Sequence, residues 1–188
     1  MLTQTINRVR RNHGLEHATI HVLSETHRQF SAQGNSTPRG FHLNVYGDIS
    51  ETDIAAAVNE ALHRLQQGQS HLAVHPNCGT VLVTTAVMST LAAMAPLALE
   101  QRRDPNGKHV WNALPSAMIG VVAALLVSRP VGMQLQERYT VDGRPGDLRV
   151  ESVRRVAPGL VTRLFQLLLA GNQRAATAYF ITTRGGEA

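Results

Sequence analysis

The sequence predicts an α+β fold: a small soluble helix-and-sheet domain interrupted by a two-helix transmembrane hairpin. Three observations lead there. An N-terminal stretch carries apolar residues at helical spacing, an alternating segment and an amphipathic segment follow it, and two long uncharged runs occupy the middle of the chain. The expected division is a soluble α+β part over 1–78, the hairpin over 79–130, and a C-terminal segment over 131–188 that returns to the soluble sheet.

The first element, from about Thr3 to Phe30, has no proline and a single glycine, Gly14, and places Ile6, Val9, Ile20 and Leu23 on one side, so it reads as one long helix. Ser31 to Gly40 is rich in Ser, Asn, Thr, Pro and Gly and reads as a loop. Gly40 to Gly47 alternates Phe41, Leu43 and Val45 with polar positions, as a half-buried strand does. Ser50 with Asp53 three residues on is a capping-box start, and Ile54, Ala57, Val58, Ala61, Leu62 and Leu65 mark the apolar face of the helix that follows, with Gly68 as its stop. His71-Leu-Ala-Val-His75 alternates and ends at Pro76, which predicts a second strand and a strand–helix–strand unit.

No charged residue occurs from Gly79 to Leu99, about 21 residues or roughly 30 Å of helix, the thickness of a bilayer's hydrocarbon core. Val110 to Ser128 is a second such run, and the charged turn between them carries Asp104-Pro-Asn-Gly and precedes an interfacial Trp111. A buried hairpin of a soluble protein is the competing reading, but length and lack of charge favour a membrane. Asp142-Gly-Arg-Pro-Gly marks a loop, Leu148 to Val156 alternates, Leu160 to Ala170 fits helix or strand, and Ala175 to Thr183 suits a final strand.

Composition narrows the partners. The net charge of +5 is carried by arginine, Lys108 being the one lysine, and arginine excess suits an anionic lipid surface. The basic residues are scattered and aromatics make up 4% of the chain, so nucleic acid is not an expected partner. The expected partners are the bilayer and a membrane protein or second copy of the chain. A lone cysteine, Cys78, excludes an intrachain disulfide and fits a cytoplasmic soluble part, and the polar start predicts no cleavable signal peptide.

The chemistry-bearing residues form two motifs. In His13-Gly-Leu-Glu16-His17 the histidines are four apart, one turn above the other, with Glu16 beside them. This H-x-x-E-H spacing is the inverted zinc-protease signature, in which the histidines hold zinc and the glutamate activates water. Imidazole supplies a neutral nitrogen donor, zinc brings water's pKa toward 7, and the carboxylate takes the proton. The stripe Ile6, Val9, His13, Glu16/His17, Ile20, Leu23 is apolar apart from the motif, so the motif is expected to face inward, satisfied by a metal or by a hydrogen-bonded network. His21 adds one more turn. The second motif, His75-Pro-Asn-Cys78-Gly-Thr80, begins the first uncharged run and offers an imidazole and a thiolate, a zinc-type donor pair. Three ligands would leave a position for water, whereas four would close the site and favour a structural role. A buried polar cluster and a small buried cysteine are the alternatives.

Arg10-Arg-Asn-His-Gly-Leu-Glu-His-Ala-Thr-Ile-His21, His75-Pro-Asn-Cys-Gly-Thr80 and the following hydrophobic hairpin resemble a family of uncharacterised bacterial membrane proteins. They are also similar to a wider group described as predicted metal-dependent membrane enzymes. The resemblance covers roughly Arg10 to Ser128. It implies a metal role for His13, Glu16, His17, His75 and Cys78 and a place in the bacterial inner membrane, with no established substrate. Where the inverted zinc proteases use a distant glutamate as third ligand, Glu60 is available, but the His75/Cys78 turn is preferred. Ser36, Thr37 and Pro38 lie in a segment that can touch a substrate, His42 and His71 can flank the site, and His27, His63 and His109 show no partner pattern.

The resulting expectation is a zinc-type, membrane-associated hydrolase with His13, His17, His75 and Cys78 as metal ligands and Glu16 as general base. Its rivals are a noncatalytic membrane-complex subunit with a structural metal or cofactor, and a soluble regulator without metal.

Overall fold

A computed structural model describes residues 2–104, 106, 110–159 and 176–186. The chain divides into two compact units, Met1–Val74 with Tyr139–Ala188, and His75–Arg138.

The first unit opens with α1, Leu2–Thr26. Its interior glycine has a packing reason: a Cβ on Gly14 would collide with the carbonyl oxygen of Asp142 and press on the Ala73 side chain. The helix ends four residues earlier than its composition suggests. Ser24 and Thr26 turn their hydroxyls back onto the carbonyls of His21 and Leu23, a bonding habit that competes with helix continuation. The inward face also starts later than expected, since Ile6 is exposed whereas Glu16, His17, Ile20 and Leu23 are buried.

The polar stretch expected to be a loop is strand β1, Ser31–Thr37, which pairs antiparallel with β2, Gly40–Tyr46, across the two-residue turn Pro38-Arg39. The partner explains it. Ala32, Gly34 and Ser36 stand opposite Val45, Leu43 and Phe41, so β2 supplies the apolar surface and β1, at the sheet edge, needs little of its own. Gly40 sits at φ +140 with its Cα against the Ile181 carbonyl, a place closed to any side chain.

Helix α2, Glu51–Gln66, starts on the predicted capping box: Ser50 accepts from the Asp53 N–H, and the Asp53 carboxylate accepts from the Ser50 N–H. All six of its predicted apolar positions are buried. The predicted strand at His71–His75 does not form. Residues Ser70–Ala73 make a 3-10 turn instead, because the carbonyls of Ala73 and Val74 accept from histidine rings on α1 rather than from a neighbouring strand. The strand–helix–strand unit is therefore absent, and the sheet is completed from the tail. Strands β3, Arg149–Val156, and β4, Thr177–Arg184, give an all-antiparallel order β1-β2-β4-β3. The return of the tail to the sheet is as expected, whereas the ambiguous Leu160–Ala170 stretch lies outside the described residues. Leu15, Leu23, Phe41, Leu43, Val45, Ile54, Val58, Leu148 and Ile181 form the core between helices and sheet.

The second unit is a helical hairpin, α3, Gly79–Arg103, and α4, Leu114–Leu135, with a 3-10 turn at Val110–Ala113 before α4; a π turn at Gln136–Thr140 carries the chain back into the first unit. The helices run antiparallel: Gly132 meets Val81, the Thr85 hydroxyl donates to Ser128 at 2.9 Å, and Gly120 meets the Ala92 backbone. Small residues on α4, namely Ala117, Ala124, Ser128 and Gly132, make this contact, as in close helix pairs within lipid. The second apolar run continues as helix beyond Ser128, through Pro130 on its exposed side. Large apolar side chains point outward, among them Leu82, Leu91, Ile119 and Leu126. Both helices are long and apolar enough to cross a membrane.

Candidate metal centre

On α1 the predicted histidine pair stands as spacing dictates, with ring centroids 4.4 Å apart and planes at 61°. Each ring is held from behind by a backbone carbonyl. His13 Nδ1 lies 2.9 Å from the Thr140 carbonyl oxygen and His17 Nδ1 lies 2.7 Å from that of Ala73. A carbonyl can only accept, so both Nδ1 atoms carry the proton and a neutral ring has its lone pair on Nε2. That is how metal-binding histidines are oriented in general, with the far nitrogen tied to a carbonyl or carboxylate. The ligating nitrogens of His13 and His17 come within 4.8 Å of one another. Two donors on a tetrahedral zinc lie ~3.4 Å apart for bonds of ~2.1 Å, a gap that small ring rotations close.

His21 differs. It donates through Nε2, to the Val74 carbonyl oxygen at 3.0 Å, so its lone pair lies on Nδ1 and the ring serves as a tie between α1 and the chain beyond the 3-10 turn. Same-face spacing alone does not make it a third ligand.

Glu16 is buried, 4% exposed. Its carboxylate fills the space a side chain would take at Gly34, and Ser36 donates to its Oε2 at 2.7 Å. Burial pushes the carboxyl up from its ordinary value, against the opposing pull of the Ser36 hydrogen bond and the neighbouring His13. A carboxyl moved in that direction holds its proton more readily than an exposed one. Ser36, read from sequence as part of a loop able to touch a substrate, lies on a strand and bonds Glu16. Gly34 was not signalled at all.

His75 and Cys78 belong to the helical unit. Gln136, fully buried, grips the His75 backbone at two points, accepting from its N–H at 2.6 Å and donating to its carbonyl at 3.0 Å. The His75 ring accepts from the Asn77 N–H through Nδ1 at 3.2 Å, which gives it a use in shaping the turn. Cys78 is the N-cap of α3, where the helix dipole favours an anionic donor such as a thiolate. Gln136 had no sequence signal, because its partner is 61 residues away.

The weaker candidates resolve toward ordinary roles. Glu60 is paired with Arg64 at 2.6 Å on the outer face of α2, and Arg64 also binds Glu25 of α1. His42 packs on Phe180 at 4.6 Å, His63 bonds Gln67, and His71 is exposed.

Comparison with known proteins adds a family. The family described as Domain of unknown function (DUF6391) matches residues 8–153, which include both motifs and the hairpin. An uncharacterized protein of Picosynechococcus sp. is 37% identical over 107 residues, or 52% of this chain and 50% of that relative. The chain spans about half the length of the curated relative it matches. No solved structure matches.

Proposed function

We propose that this chain, which belongs to the DUF6391 family, is a membrane-anchored, zinc-type hydrolase whose centre is His13, Glu16 and His17. The observation that carries the reading is the pair of Nδ1–H···O=C bonds that turn both Nε2 lone pairs to the ligand role beside a buried carboxyl of raised pKa. A divalent ion held there supplies Lewis acidity and makes water easier to deprotonate. Glu16 accepts the proton at a carboxylate oxygen and returns it to the leaving group. Ser36 and the bare backbone of Gly34 keep that carboxylate in one position.

Cys78 is the proposed third ligand, with His75 flanking it. Covalent connection keeps the Cys78 Cα within roughly 14 Å of Val74, the residue whose carbonyl accepts from His21. Sulfur with two imidazoles is a zinc donor set that leaves one position for water. The hairpin anchors the protein in the bacterial inner membrane, with the soluble unit on the cytoplasmic side. Length, lack of charge and outward-facing apolar side chains support the anchoring.

A structural metal site in a membrane complex is the second reading, favoured by the same Gly34 seat, which gives Glu16 a packing role. Glu16→Gln separates the two. Purified in detergent, the wild type is expected to contain about one metal per chain and to cleave a member of a fluorogenic peptide panel, and the variant to keep the metal and lose turnover at least ~100-fold. Equal turnover by both overturns Glu16 as base, and metal without turnover in the wild type favours the structural site.

A further inference from the structure

The chain leaves the first unit at Val74 and re-enters it at Tyr139, and both crossings are bonded to the same face of α1. Going up that face, Arg10 donates through Nη2 to the Val141 carbonyl at 3.1 Å and its own carbonyl accepts from the Asp142 N–H at 3.0 Å. His13 donates to Thr140, His17 to Ala73 and His21 to Val74. The carbonyls that fix the metal-binding tautomers, those of Ala73 and Thr140, therefore lie one residue inside the two crossings to the hairpin. Leu72, Ala73 and Val141 beside these crossings belong to the core, and the ties that reach the histidine rings are polar and directional.

We infer that the bilayer is an allosteric effector of metal binding: the seating of the hairpin in lipid and the metal affinity of the His13/His17 pair are linked through these two connectors. This rests on the metal reading proposed above. A cation on Nε2 makes the Nδ1–H a stronger donor, which tightens the bonds to Thr140 and Ala73. By thermodynamic reciprocity, whatever pulls those carbonyls out of place weakens the metal. A bilayer thinner or thicker than the hairpin's apolar length tilts or shifts the helices, at a modest cost per ångström of mismatch, and the connectors transmit the displacement to the rings.

The test is zinc affinity of the full chain in nanodiscs of dilauroyl-, dioleoyl- and dierucoyl-phosphatidylcholine, by competition with a chelator. The affinities are expected to differ by at least about 5-fold between the best and worst matched lipid, the lower end of ordinary allosteric coupling. Zinc is also expected to slow amide exchange at residues 73–75 and 139–142. A Gly-Ser-Gly insertion between Arg138 and Tyr139 slackens one connector without touching any ligand; it should retain zinc and lose most of the lipid dependence. Tight zinc binding that is equal in all three lipids, with unchanged exchange at the connectors, overturns the linkage and leaves the metal site standing. No zinc binding in any lipid overturns both.

Discussion

The two units use apolar residues in opposite directions. In the first, Leu15, Phe41, Leu43 and Ile181 are fully buried; in the second, the helices meet through Ala, Ser and Gly while Leu82, Ile119 and Leu126 face out, more than 60% exposed. A core formed in water is driven by removing large apolar surfaces from it. Close backbone approach and interhelical hydrogen bonds, the contacts that hold helix pairs in lipid, join the two helices of the second unit, through Gly132 on Val81 and Thr85 to Ser128. Large apolar residues thus take opposite places in the two units.

The largest effect that could break this contrast comes from equal truncations. Phe41→Ala is expected to cost the soluble unit about 3–5 kcal/mol, through lost burial and a cavity. Leu126→Ala should change the stability of the protein in micelles by no more than about 0.5 kcal/mol. Chemical denaturation followed by circular dichroism measures both, and a large loss at Leu126 would mean that the outward face is covered by protein. The converse substitution sharpens the point. Gly132→Ile, which drives a branched side chain into Val81, should destabilise the helix pair by about 1–3 kcal/mol, read from unfolding in mixed micelles.

Much of this contrast could be read from sequence. The two uncharged runs, the capping box at Ser50, the alternation of Phe41, Leu43 and Val45 and the return of the tail all depend on local chemistry, and all appear in the structure. β1 was hidden because an edge strand borrows its apolar surface from its neighbour, so its own residues can be polar. The His71–His75 alternation misled for the complementary reason: its carbonyls are claimed by His17 and His21, 56 and 53 residues away. The site shows the same division. The H-x-x-E-H spacing is local and legible; the carbonyls of Ala73 and Thr140, the seat at Gly34 and the Gln136 grip are long-range contacts that no local pattern encodes.

Within the soluble unit, smaller effects separate scaffold from site. Ser36→Ala removes one hydrogen bond to Glu16 and is expected to cost about 1 kcal/mol, whereas Gly34→Val must displace the Glu16 carboxylate altogether and should reduce turnover more than it reduces metal content. Glu16→Gln should raise the melting temperature of the metal-free protein at neutral pH. The sign follows from burial: a carboxyl whose folded pKa is raised costs stability as pH climbs from its unfolded value through its folded one, and a neutral amide avoids that loss. Thermal scans at pH 4 and pH 8 check it, the difference between variant and wild type being expected to shrink at the lower pH.

The smallest effect lies at the α2 cap. The Ser50 hydroxyl and N–H hold the Asp53 carboxyl below the usual carboxylate range. Its contribution is complete above about pH 4, the unfolded value of an aspartate, and is lost as pH falls through the lower folded value. Ser50→Ala should cost about 1 kcal/mol at neutral pH and flatten the acid limb of the stability profile.

The most direct measurement of the metal centre is elemental analysis of the detergent-purified full chain beside His13→Ala/His17→Ala. Zinc, iron or manganese at about one ion per wild-type chain, and at background in a folded double variant, is the predicted result. Equal background content in both would contradict the account, because two imidazoles fixed by carbonyls on one buried helix face would then be a hydrogen-bonded strut and nothing more.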